Sequence, residues 1–148
     1  MKVRVSAVFE KDSEILCMNY NYGGQEVFSL PGGGVDHDIP LHQVIAKEWM
    51  EELGIKIDVG DVLLIGEAPA VKHHPQTLHI VFEALQIHGT PKLQSENTTA
   101  LGLAWIPVEK LSSVSLYPDV GKELYACLTQ KPRRCLPYLS NCMKRGYW

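Results

Sequence analysis

No apolar run in the sequence approaches the roughly 20 residues that a membrane-spanning helix needs. Integration into a membrane by helices is therefore not expected. Nor is there a Cys-x-x-Cys pair: Cys17, Cys127, Cys135 and Cys142 stand apart, which argues against a zinc knuckle or a dithiol redox motif. Reduced thiols are the simpler reading, although Cys135 and Cys142 lie close enough in sequence to pair on oxidation. Positive charge is not in excess: the chain carries a net charge of −3, so duplex nucleic acid is not an expected partner. Internal repeats, linkers and low-complexity tracts are missing too. The first residues, Met1-Lys2-Val3-Arg4-Val5, alternate charged and apolar side chains. They read as a strand rather than the continuous apolar core of a signal peptide, and the expected location is cytoplasmic.

What is present suits one domain. At 148 residues the chain is long enough for a real hydrophobic core, and 45% hydrophobic with 21% charged residues is ordinary globular composition. Charge is unevenly placed. Residues 131–148 hold Lys131, Arg133, Arg134, Lys144 and Arg145 and no acid, a charge of +5, so residues 1–130 carry −8 of the total −3. The expected organisation is a domain over residues 1–130 and a basic, aromatic tail over 131–148. Leu136, Tyr138, Tyr147 and Trp148 suggest that the tail packs on the domain, extends it, or pairs it with a second copy as a homodimer.

Strands are expected over Val3–Phe9, Glu14–Asn19 and Val27–Leu30, with loops at Lys11–Ser13 and Tyr20–Gln25. Pro31-Gly32-Gly33-Gly34 should end regular structure and let the backbone approach a ligand closely. Pro40 marks a helix start and Gly54 its cap. Ile55–Ile65 is β-rich with a break at Gly60-Asp61, Glu67–Gln76 is loop-like, and Thr77–Ile87 and Ala100–Ile106 are further strands. Val108–Leu111 is a helical turn, and Pro118–Gln130 the last helix, with Val120, Leu124, Tyr125 and Leu128 on its inner side. The expected fold class is α/β, a mixed sheet with a helix on each side.

The helix before Gly54 carries the chemistry. At about 100° per residue, Glu48, Glu51 and Glu52 gather within roughly 100° of arc, while Ile45, Ala46, Trp49, Met50 and Leu53 take the opposite side. Like charges so spaced repel. A solvated acidic face is one reading. A site for a hard divalent cation is the other, because Mg²⁺ takes carboxylate oxygens, water and substrate phosphates.

The stretch Leu30-Pro31-Gly32-Gly33-Gly34-Val35-Asp36 with this helix resembles the Nudix box, G-x5-E-x7-R-E-U-x-E-E-x-G-U, where U is a bulky apolar residue. Gly33 takes the first glycine, Trp49 the first apolar position, and Glu48, Glu51, Glu52, Gly54 and Ile55 follow in register. Two positions depart: Ile39 stands at the first glutamate and Lys47 at the arginine. Ile39 cannot pair with a cation, and Lys47 keeps charge but lacks the planar fork. Asp36 and Asp38 supply acids nearby.

The resemblance implies a Nudix-type α/β/α sandwich with a central mixed β-sheet. It implies a MutT-like or ADP-ribose-pyrophosphatase-like pyrophosphohydrolase that cuts the diphosphate bond of a nucleoside diphosphate linked to another moiety. Mg²⁺, or Mn²⁺ in its place, is the expected cofactor, held by Glu48, Glu51, Glu52 and Gly33, with Gly32, Gly33 and Gly34 beside the substrate. Glu52, Glu51 and Glu96 are the candidate catalytic carboxylates, and the choice among them stays open. A proline beyond the box, here Pro69, leans the substrate towards ADP-ribose-like compounds or nucleotide sugars. Tyr20, Tyr22 and Phe28 are candidate base-stacking residues, with Phe28 read first as core, and His73 and His74 are read first as surface-loop histidines, with phosphate contact as the alternative. The altered box leaves an alternative: a weakened or inactive domain acting as a nucleotide-binding or regulatory module.

Overall fold

A computed structural model describes residues 1–36, 38–130 and 138–139. The expected basic tail lies outside the described residues, apart from the backbone of one short strand.

The elements in chain order are β1 (Lys2–Val8), β2 (Glu10–Lys11), β3 (Glu14–Tyr22), β4 (Gln25–Ser29), β5 (Gly32–Gly34), α1 (Leu41–Leu53), β6 (Lys56–Ala68), β7 (Thr77–His88), β8 (Gly102–Pro107), β9 (Leu116–Tyr117), α2 (Gly121–Thr129) and β10 (Tyr138–Leu139). One mixed sheet runs β10-β6-β7-β1-β5, with β1 parallel to β7 and antiparallel to β5. The second sheet runs β2-β3-β4-β9, with β8 also paired to β3.

Two cores follow from strand alternation. Val5 and Ala7 of β1 pack with Trp49, Ile45 and Leu53 of α1, whereas Val8 packs with Leu124 and Leu128 of α2. On β7, Phe82 enters the α1 core and Val81 the α2 core. The first sheet is thus sandwiched between the helices, as the mixed α/β expectation requires. Strand β3 is buried on both faces as well: Leu16 and Met18 join one core, Ile15 and Cys17 the other. Two-sided burial explains why this stretch reads as a continuous apolar run. It also pushes the Cys17 thiol far above its ordinary range and leaves it inert.

Local differences from the sequence reading have physical causes. The glycine run does not end regular structure. Gly32–Gly34 forms β5, because β1 offers a free edge and Val5 pairs with Gly33. The Gly60-Asp61 region does not break β6; register shifts between Asp58 and Leu64 absorb it as bulges. Strand β3 continues to Tyr22, with Gly23 and Gly24 in positive-φ turn conformations. Helix α2 starts at Gly121, not Pro118, and Tyr125 faces outward while Val120, Leu124 and Leu128 are buried. In α1, Pro40 occupies the N-cap and Gly54 closes the helix at φ 63°. Met50 is exposed rather than core-facing, and Val44 is buried in its stead.

Candidate functional site

Strand β5 lies between β1 and α1. A side chain at Gly32 would run into the Val5 carbonyl and Ser6, so only glycine fits against β1. At Gly33 a Cβ would sit 2.5–2.7 Å from the Glu48 carboxylate. Its absence lets the glycine backbone lie directly on that carboxylate. Gly34 has open space, and with Gly33, Asp36, Lys47, Glu48 and Glu51 it lines a cleft of about 760 Å³. Of the three glycines expected beside a ligand, Gly32 is set by packing, and Gly33 and Gly34 face the cleft.

The three glutamates have different settings. Glu52 is buried, and its Oε1 accepts a hydrogen bond from the Gly32 N–H at 3.1 Å. Burial pushes its carboxyl up to about 7; the Glu48 and Glu51 charges add to the shift, while Arg4 and the Gly32 N–H oppose it. Glu51 is exposed, with Oε1 3.6 Å from the Lys47 ammonium. Glu48 is half-buried against Gly33. Among the described residues no three acid, His or Cys side chains converge as a ready-made metal cage. The donor chemistry nevertheless suits a hard divalent cation: carboxylate oxygens, with the Gly33 backbone left open beside Glu48. The surface pair that turns Glu51 towards Lys47 is weak enough to exchange.

The loop after β7 fixes the glutamate-bearing turn. The Lys92 N–H donates to the Leu53 carbonyl, the Gln94 N–H to the Glu52 carbonyl and the Asn97 side-chain amide to the Glu51 carbonyl, at 2.8–2.9 Å. These carbonyls would otherwise be orphaned at the helix end. The same loop carries Glu96, which is exposed and does not line the cleft. Tyr20 stacks on Tyr22 with centroids 5.7 Å apart, and its hydroxyl lies 3.1 Å from Thr98 Oγ1. Phe28 packs against the α2 core, and His73 and His74 are exposed. Ile39 is part-exposed and contributes nothing to the cleft lining.

The sequence reading missed a cluster on the far side of β5. Arg4 Nη2 donates to the Leu30 carbonyl at 3.0 Å, and the guanidinium sits 4.9 Å from the Tyr117 ring centroid. The buried His79 meets the same ring edge-on at 5.5 Å, and burial holds its imidazole down to about 3. The signal was in the phase of β1: Lys2, Arg4 and Ser6 share a face with the buried Val8. A cation in step with core residues points inward.

The family model described as NUDIX domain matches residues 1–127. Among solved structures, the chain is similar to the E. coli ORF135 protein, with a TM-score of 0.75 and 23% identity over 90% of this chain and 95% of that one. A MutT NUDIX hydrolase from Burkholderia pseudomallei gives a TM-score of 0.72 at 21% identity, covering 86% and 98%. An ADP-ribose pyrophosphatase from Streptococcus suis gives 0.62 at 20%, covering 93% and 98%. Comparison with curated protein sequences finds no match.

Proposed function

The chain belongs to the Nudix family of pyrophosphohydrolases, and from that premise we propose that it cuts the diphosphate bond of a nucleoside diphosphate linked to another moiety. The observation that carries this reading is the seat of the Gly33 backbone on the Glu48 carboxylate inside a cleft shared with Glu51 and Asp36. ADP-ribose-like compounds and nucleotide sugars come first as substrates. Resemblance to the family's ADP-ribose-cleaving members through Pro69 supports that order, and one structural neighbour is an ADP-ribose pyrophosphatase.

Glu48, Glu51 and Glu52, with the Gly33 carbonyl, are the residues to hold Mg²⁺ or Mn²⁺, which when bound neutralises diphosphate charge and orients a water for in-line attack. The chain's own parts have separate tasks. Gly33 and Gly34 present backbone without side chains, so the diphosphate can lie flat along β5. Lys47 balances the charge of Glu51. Glu52 takes the proton of the attacking water, its orientation set by the Gly32 N–H. Glu96 is the alternative base, carried on the loop that caps α1.

A panel of ADP-ribose, nucleotide sugars, dinucleotides and nucleoside triphosphates with Mg²⁺ or Mn²⁺ tests the reading. Cleavage at the diphosphate in at least one class is expected, and Glu52→Gln should slow it by about 10²–10⁴-fold, the usual share of a general base. Wild-type rates in Glu52→Gln and loss in Glu96→Gln would move the base to the loop. Silence across the whole panel would instead favour a nucleotide-binding module.

A further inference from the structure

Beside the acidic cleft lies a smaller cavity of about 170 Å³. The two share walls made by Lys2, Val3 and Gly34, so they adjoin along one groove. Their linings differ in sign. The small compartment adds Arg4, His74, Thr77 and Tyr117, and none of its lining residues is acidic. Lys2 and Arg4 stand two residues apart on β1, opposite Thr77 and His79 of β7, so both cations project from one face of the sheet.

Arg4 is held in place. Its Nη2 donates to the Leu30 carbonyl, its plane lies over Tyr117, and Ser29 Oγ is 3.4 Å away. Among the described residues it forms no ion pair. Glu52 is near enough to feel its charge, but that carboxylate is bonded to the Gly32 N–H. A part-buried guanidinium without a counter-ion is costly to fold around. An anion arriving in the compartment removes that cost, and it meets a cation whose side-chain freedom is already spent.

Size and aromatic geometry narrow the occupant. About 170 Å³ is below the roughly 300 Å³ at which pockets for whole small molecules begin. Tyr117 has Arg4 over one face and His79 against its ring, so it offers no open stacking surface on that side. The compartment suits a single charged group, not a base.

We propose that Lys2 and Arg4 form an anion subsite that takes a carboxylate or phosphate carried by the moiety linked to the nucleoside diphosphate. This rests on the diphosphatase reading for its substrate, but the subsite itself can be measured without turnover. Titrating inorganic phosphate into the EDTA-treated full chain by calorimetry reads it directly. Lys2→Met should weaken binding by about 10-fold, the scale of one charged hydrogen bond. Lys11→Met, an exposed lysine elsewhere, controls for net charge and should leave it unchanged. Arg4→Lys keeps the charge, loses the fork and should also weaken binding. If it fails to fold, Lys2→Met decides. Equal binding by wild type and Lys2→Met, or equal weakening by Lys11→Met, overturns the subsite. UDP-glucuronate and UDP-glucose, matched except for a carboxylate, then test the substrate class. The wild type should show the lower KM for UDP-glucuronate, and Lys2→Met should erase the difference; an equal KM for both sugars in the wild type overturns the class. If neither sugar is cut, the hydrolase reading suffers for these substrates, while the phosphate titration still settles the subsite.

Discussion

Replacing Glu52 with glutamine keeps the acceptor oxygen that faces the Gly32 N–H and removes the charge. In the metal-free protein that charge is unwelcome. The carboxyl titrates at about 7 in the folded chain against an ordinary 4.5, chiefly because it is buried, with Glu48 and Glu51 adding repulsion. The folded state therefore holds more protons than the unfolded chain between pH 4.5 and about 7, and stability falls as pH rises through that window. Above it the penalty is complete, about 3 kcal/mol at most from a shift of this size. Glutamine escapes that penalty. In EDTA at pH 8, Glu52→Gln should melt above wild type by up to roughly 6–12 °C, the range such an energy implies for a domain of this length. At pH 4 both side chains are neutral and the two curves should coincide. Melting followed by circular dichroism at pH 4, 6 and 8 gives the answer. A variant that melts at or below wild type at pH 8, or that gains equally at pH 4, would refute the claim that Glu52 is held against its own burial. Loss of diphosphatase activity alongside the gain is the pattern expected when a fold tolerates a strained charge for its chemistry.

Gly33→Ala puts a methyl group on the Glu48 carboxylate, so kcat/KM should fall by about 10–100-fold, the range typical of disturbed metal ligation, while far-ultraviolet dichroism stays unchanged. An active Gly33→Ala would show that the contact does not matter. Ile39→Glu with Lys47→Arg restores both departures from the box; apparent Mn²⁺ affinity should tighten by about 10-fold or more, read by calorimetry. His79 works through pH in the opposite sense to Glu52. Its imidazole titrates near 3 when folded and near 6.5 when unfolded, so the stability it supports is present above 6.5 and drains away as pH falls towards 3. The wild type should therefore lose ground to His79→Phe by about 1 kcal/mol per pH unit below 6.5, as urea titrations at pH 6.5, 5.5 and 4.5 would register. A constant gap between the two proteins would sink that assignment.

Much of this layout was legible beforehand because local rules and the fold agree. The helix that bears Glu48, Glu51 and Glu52 was readable from Pro40 to Gly54, since a proline start and a left-handed glycine end are local events. Strand β3 was visible as the apolar run Ile15-Leu16-Cys17-Met18 that follows the Lys11–Ser13 turn. What escaped depended on partners distant in sequence. The glycine run became β5 only because β1 had an edge to offer. Glu52 reads as an exposed ligand on a helical wheel, yet it is buried because Gly32, twenty residues earlier, folds back over it. Arg4 carried no role in the sequence beyond its place in an alternating strand, because its partner Tyr117 lies more than a hundred residues on. Periodicity assigns a residue to a face, but not to what covers that face.

The capping of α1 by residues 92–97 also bears on how the protein is made. During synthesis the glutamate turn emerges some forty residues before the loop that satisfies its last carbonyls. Strand β7, which holds β1 and through it β5, is likewise finished only at His88. A nascent chain that stops short of residue 92 has every expected metal ligand and none of the loop bonds that fix their turn. The site is thus completed late, after the residues of the cleft walls have been synthesised, and a shortened or grafted 89–99 loop should first harm the assembly of the glutamate end of α1 rather than the sheet beneath it.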